Sequence, residues 1–322
     1  MRQELLKNQT SIGDKLVYNP QKGKLKRDIW KYRNMYLFIL PAFIWFIIFA
    51  YIPLYGFVLA FKDFNFGLGI MHSPWVGLRF FKGFIGDSDF YNVIRNTLTI
   101  STLKLLFGFP APIILALMLN GVTNLKFKKV IQTVSYLPYF VSWVVVVSLL
   151  TKFLSPSAGV INDIRASMGQ APIYFLGIKK LFYVFIVSTD LWKNIGWGSI
   201  IYLAALTNID PTLYEASSID GSGRWADLWY ITLPCLKPTI GILFIMSIGG
   251  LFNAGFEQVY LMQTPAVSNL SEILDTYVLK KGLMQGQFGY ATAISMFQSV
   301  ISLILVVTVN QISKKTTEVS LW

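Results

Sequence analysis

Residues Glu215–Pro238 read EASSIDGSGRWADLWYITLPCLKP, a polar interval between two long apolar stretches. Asp210 is suited to cap a helix there, and Pro211 to fill its first turn, because proline lacks an N–H that this position would leave unpaired. The helix is expected to end near Ile219. Asp220-Gly221 then turns the chain, with glycine supplying a positive φ. Ser222 is expected to cap a second helix, Gly223–Leu233, which Pro234 stops. The reading is a compact helix–turn–helix outside a bilayer, built to be gripped by another protein. The plainer alternative is an ordinary loop with capped helices.

The flanks set the class. Of 322 residues, 54% are hydrophobic and only 14% charged, whereas soluble domains carry about a quarter charged residues. An apolar run of about 20 residues crosses the hydrocarbon as a helix. Six such runs emerge: 36–61, 97–119, 130–150, 181–206, 239–256 and 290–309. The expected fold is therefore all-α, a polytopic membrane protein with six transmembrane helices. Prolines 41, 53, 110 and 112 fall inside the first two runs, where neighbouring helices satisfy the freed carbonyls. The fifth run is short and rich in glycine (241, 249, 250, 255), which lets helices approach closely. The expected organisation is a basic tail over 1–34, one membrane domain over 35–315 containing the polar loop 207–238, and a short tail over 316–322.

Charge orients the spans. Sixteen Lys and Arg fall on the side holding both termini and the Glu215 loop, and ten on the other. The positive-inside rule places the richer side in the cytoplasm. Lys126, Lys128 and Lys129 sharpen the sign, since their short loop holds no acid. The net charge of +12 thus reflects orientation rather than nucleic-acid binding. Residues 1–33 carry nine positive and three negative charges, suited to anionic lipid, and 24–33 has the mixed pattern of a short interfacial helix. No cleavable signal peptide is expected. Cys235 is the lone cysteine and His72 the lone histidine, so disulfides, metal sites and histidine catalysis lack partners.

The loop's order of residues resembles the coupling loop of ABC-importer permeases: Glu-Ala-Ala, three residues, Gly, then an apolar stretch ending in Leu-Pro. Glu215, Ala216, Asp220, Gly221, Ile231, Leu233 and Pro234 fit. Ser217 and Ser222 stand where alanine is commoner, and Leu228 where phenylalanine is. Tyr51–Pro53, Tyr55-Gly56, Phe61–Asp63 and Trp75–Leu78 resemble the branch that imports complex oligosaccharides, and the likeness covers roughly 35–315. It implies a type I importer in the bacterial cytoplasmic (inner) membrane, with a second permease subunit, two ATP-binding subunits and an extracytoplasmic solute-binding protein. No cofactor is expected on this chain; ATP and magnesium belong to the partner ATPases, so the chain itself is no enzyme.

The implied coupling residues are Glu215, Ala216, Ser217, Asp220, Gly221 and Arg224. Tyr214, Ile219, Trp225 and Trp229 either pack the two short helices together or fill a pocket on the partner. Sugars offer hydroxyls and C–H faces, so a midplane path needs amides, hydroxyls and aromatic rings. Trp143, Asp190, Lys193, Asn194, Trp197, Asn253 and Glu257 are the candidates, since polar groups at membrane depth point to function. Asn253 and Gly249 are expected on one helical face. Asp190 and Lys193 stand three apart and can neutralise each other; Lys104 either pairs with Asp190 or snorkels outward. Residues 75–84 and 90–96 read as surface helices. The stretch 257–289 either meets the solute receptor or is a solvated connection. Other cargo (amino acids, peptides, ions) shares the same loop. A membrane enzyme would need clustered acids or histidines, and a channel a repeated filter.

Overall fold

The computed structural model describes residues 30–317 and 319–322. Residues 1–29 of the expected basic tail, and with them most of the interfacial helix expected at 24–33, lie outside them. The described residues are almost wholly helical, with one isolated β-bridge between Lys62 and Trp75. The chain divides into two compact units, Met1–Phe57 and Val58–Trp322.

Ten helical segments position everything that follows. They are α1 (Arg33–Phe61), α2 (Phe90–Asn120), α3 (Leu125–Phe140), α4 (Trp143–Phe153), α5 (Lys179–Thr207), α6 (Pro211–Ile219), α7 (Arg224–Gly249), α8 (Phe256–Met262), α9 (Leu274–Leu279) and α10 (Phe288–Thr317). By length and composition α1, α2, α7 and α10 suffice to cross a membrane. The pair α3 and α4 also qualifies, but the two meet at 96°. The expected span 130–150 is therefore broken. The cause is local: Pro138 sits in a tight 3-10 turn, Leu137–Phe140, and the Ser142 hydroxyl accepts from the Val145 amide to start a new helix. α5 has 29 residues, about 43 Å, but Asp190, Lys193 and Asn194 dilute its apolar run.

At two other prolines, Pro53 and Pro234, the helix continues. A π turn, Ile47–Tyr51, precedes Pro53, and another, Leu228–Thr232, precedes Pro234. The amide just before each proline bonds five residues back, Ile52 to Ile47 and Leu233 to Leu228. The wider turn eases the crowding that the ring imposes on the preceding turn. Pro234 consequently does not stop the second short helix; α7 runs through it to Gly249. Asn253 then lies beyond the helix end, so its expected shared face with Gly249 does not exist.

Three apolar clusters organise the Val58–Trp322 unit. Tyr202, Leu206, Ala116 and Leu236 join α5, α2 and α7. Ile100, Val147, Ile186 and Val259 join α2, α4, α5 and α8. Phe84, Tyr277 and Ile294 join the short helix Arg79–Ile85 to α9 and α10. The stretch 257–289 supplies fully buried Val259, Val267, Ile273, Leu274 and Tyr277, so it is not a solvated connection. Residues 90–96 are the first turns of α2 rather than a separate surface helix. The tail folds back: the Ser313 hydroxyl donates to the Val319 carbonyl at 2.8 Å, and the Leu321 amide to the Asn310 Oδ1 at 2.8 Å.

Candidate functional site: the coupling hairpin and the cavity between helices

The hairpin α6–turn–α7 forms much as its residues dictate. Asp210 Oδ1 accepts from the Thr212 amide at 2.9 Å, and that bond holds its carboxyl below the usual range. At the far end Gly221 has φ 73°. The Ser222 amide reaches the Ser217 carbonyl at 3.0 Å, and the Gly221 amide the Ser218 carbonyl at 3.2 Å, a left-handed closure that glycine makes cheap. Ser222 caps nothing; Gly223 is the N-cap of the following helix. Instead the hydroxyls of Ser217 and Ser222 both donate to Asp227 Oδ1, at 2.6 and 3.0 Å. Asp227 is thus the tie between α6 and α7, and reading the sequence missed it, because no spacing rule links positions ten residues apart across a turn.

Of the coupling candidates, Glu215, Ala216, Asp220, Gly221 and Arg224 are exposed and Ser217 is half-buried. Ile219, Trp225 and Trp229 are exposed, and only Tyr214 reaches inward, its hydroxyl 3.0 Å from that of Thr232. The three apolar side chains therefore do not pack the two helices together. An open recess of about 620 Å³ lies beside them, bounded by Leu117, Met118, Tyr214, Arg224, Trp225 and Leu228.

A cavity of about 350 Å³ opens between α2, α5 and α7, within the roughly 300–1,000 Å³ of ligand sites. Ser101, Lys104, Asp190, Asn194, Tyr202 and Asn253 are among its lining residues. Three expected pathway residues, Asp190, Asn194 and Asn253, thus meet there. Lys104, not Lys193, pairs with Asp190, at 3.4 Å. The Lys104 ammonium also donates to the Ala254 carbonyl at 2.8 Å and to Gln258 Oε1 at 2.5 Å. Gln258, fully buried, is held in turn by the Ile186 carbonyl and the Thr189 hydroxyl, both at 2.8 Å. One lysine so joins α2, α5 and the start of α8.

The other four candidates lie elsewhere. Lys193 is buried and donates to the carbonyls of Tyr139, at 2.7 Å, and of Val141. Its ammonium stands 5.5 Å from the ring centres of Tyr139 and of Trp143. The expected neutralisation of Asp190 by Lys193 does not occur, because the break between α3 and α4 frees carbonyls that claim the ammonium. Trp197 stacks on Tyr139 at 4.5 Å. Glu257 is exposed in the first turn of α8.

On the same unit, Asp87 Oδ2 accepts from the hydroxyls of Tyr277 and Tyr290 at 2.7 and 2.9 Å. Burial alone would raise this carboxyl, but the Asp89 amide, the two phenols and Lys281 outweigh it and hold it below the usual range.

The family model described as "Binding-protein-dependent transport system inner membrane component" matches residues 108–317. Protein LplB of Bacillus subtilis (strain 168) is 45% identical over 291 residues, 90% of each chain. The polygalacturonan/rhamnogalacturonan transport system permease protein YteP of the same organism is 42% identical over 94% of each. A chain of the bacterial alginate ABC transporter, crystallised with alginate pentasaccharide-bound periplasmic protein, is similar at a TM-score of 0.83. It shares 38% identity and covers 92% of this chain and 100% of its own.

Proposed function

The chain belongs to the binding-protein-dependent transport system inner membrane components, the permeases of ABC transporters, and from that premise we propose that it is a pore subunit importing oligosaccharides or polysaccharide fragments. The relatives named for polygalacturonan, rhamnogalacturonan and alginate support sugar over amino acid, peptide or ion cargo. The observation that carries the reading is the hairpin closed at Gly221 and tied by Asp227, which presents Glu215 and bare apolar side chains to a partner.

Six spans place both termini and the hairpin in the cytoplasm, as the Lys and Arg bias requires. Two ATPase subunits, which bind ATP and magnesium, grip the hairpin of this chain and that of a second permease. Their closure moves α6, and through it the ends of α5 and α7, between inward-open and outward-open states. A solute-binding protein on the opposite face delivers cargo and favours one state by differential contacts. The cavity holding Lys104, Asp190, Asn194 and Asn253 lies on the path. This chain hydrolyses nothing.

The test is to purify the complex, reconstitute it in proteoliposomes with its solute-binding protein, and measure ATP turnover against a panel of neutral and acidic oligosaccharides, amino acids, peptides and ions. Stimulation by at least one sugar is expected. Stimulation only by amino acids, peptides or ions overturns the cargo, and a chain that purifies without ATPase subunits overturns the whole reading.

A further inference from the structure

We propose that Asp275 is a proton-operated latch: protonated, it closes the seam between α9, α10 and the turn after α7, and ionised, it loosens that seam. The inference goes beyond the import reading, and two of its three tests stand without it.

Three elements meet on one amide. Gln298, on α10, donates from its side-chain nitrogen to the Phe252 carbonyl at 2.8 Å and to Asp275 Oδ1 at 3.1 Å. An amide nitrogen has two protons, so both are spent. Asp275 Oδ2 is buried and, among the described residues, bonds nothing. The seam around it is apolar, since Phe252, Leu274, Tyr277 and Ile294 pack together there.

No cation serves that oxygen. On α2, Arg95 lies 5.9 Å from the Tyr91 ring centre, and Lys104 is spent on Ala254, Gln258 and Asp190. On α8, Glu257 and Tyr260 are exposed. Beyond α9, Lys280 pairs with Glu272 at 2.9 Å, and Lys281 lies over the rings of Tyr277 and Tyr290. Both those phenols donate to Asp87. Gln298 alone faces Asp275 from α10, and it is neutral.

Burial therefore pushes the Asp275 carboxyl above the usual range, and the Gln298 amide offsets only part of the rise. An acid raised in the fold contributes fully below its unfolded pKa of about 3.9, and that contribution is lost as pH climbs through the higher folded value. A neutral acid costs less to bury than a bare anionic oxygen. Once ionised, Oδ2 has to be wetted, and water reaches it by parting α9 from α10. Gln298 also holds Phe252, so the loosening spreads to Leu251 and Asn253, which line the cavity between α2, α5 and α7.

The whole purified complex is compared with Asp275→Asn, which has the shape of the neutral acid. Infrared difference spectra of native against variant should show one protonated carboxyl that disappears with a midpoint above about 3.9. Gln298→Met removes the one donor and should move that midpoint higher still, a readout that remains if Asp275→Asn does not assemble. The thermal midpoint of the native complex, relative to Asp275→Asn, should fall by about 3 °C between about pH 4 and about pH 8. Other titrating groups are common to both chains and drop out. In proteoliposomes with the inner pH fixed, the ratio of native to Asp275→Asn uptake should rise as outer pH climbs through the infrared midpoint. A carboxyl that titrates in the ordinary range, or parallel melting profiles, overturns the proposal by showing that water already serves Oδ2. A raised midpoint with identical uptake profiles also overturns it, leaving a buried acid that moves nothing. If the native complex takes up no oligosaccharide at any pH, the import reading falls, while the infrared and melting results still decide whether Asp275 binds a proton at this seam.

Discussion

Lys193 Nζ stands 2.7 Å from the carbonyl oxygen of Tyr139, across the break that separates α3 from α4. A charge on α5 thereby satisfies the backbone that α3 exposes where it breaks from α4. Lys193→Met keeps the length of the stem and removes the donor. Each carbonyl left bare in a dry setting costs roughly 1–3 kcal/mol. The thermal midpoint of the purified complex should fall, and one equal to that of the native complex would show that water already serves these carbonyls.

Gly221→Pro should leave the protein in the membrane and abolish ATP-driven uptake. Proline fixes a negative φ and lacks the amide that bonds Ser218, so the turn cannot close. Glu215→Ala should do the same by removing the one charge α6 projects. Normal uptake by an assembled Gly221→Pro complex would mean that the hairpin does not transmit motion.

Asp227→Ala removes the shared acceptor of Ser217 and Ser222. The loss is roughly 1.5–3 kcal/mol per bond to a charged acceptor, confined to the hairpin. Uptake per ATP hydrolysed should drop, with Asp227→Asn recovering part of it. Identical coupling ratios in the native and alanine chains would relegate the tie to decoration.

Gly196 permits close approach of α5 to α3: a Cβ built there would stand 1.9 Å from the Ser135 carbonyl oxygen. Backbone cannot move aside as a side chain does. Gly196→Ala should therefore destabilise by at least the 1–3 kcal/mol or so of ordinary overpacking, seen as a reduced yield of folded complex. A native yield and melting profile would contradict the contact.

The Asp87 cluster sets an acid limit. Its folded carboxyl titrates below the usual value, so its contribution is complete above the unfolded pKa of about 3.9 and disappears as pH falls through the lower folded value. Melting curves taken downward from about pH 5 should show the native chain losing more stability than Asp87→Asn. Parallel curves would mean that the phenols of Tyr277 and Tyr290 bind the neutral acid equally well.

Much of this architecture is legible in the residues. Helices α1 and α5 fall within a few residues of their apolar runs, α2 and α10 contain theirs and outrun them by seven or eight residues at one end, and Asp210, Pro211 and Gly221 announce α6 and its turn by local chemistry. What is hidden depends on partners far along the chain. Lys193 reads as a neighbour of Asp190 because both lie on one helix, yet the break at Pro138 claims it. Gln258 looks like a loop amide, and only the fold brings it beneath Lys104, 154 positions earlier. Pro234 reads as a stop because the π turn that accommodates it leaves no mark in composition. The stretch 257–289 reads as polar, yet its apolar minority fills the space between α2, α4, α5 and α10.

The folded-back end has a practical side for anyone handling the protein. A Cβ at Gly241 on α7 would lie 2.9 Å from the Val319 side chain, and Asn310 holds the Leu321 amide, so the last residues are anchored against two spans. An affinity handle fused directly after Trp322 starts from a pinned point. A bulky fusion without a spacer would pull on those anchors whenever resin or detergent tugs at it.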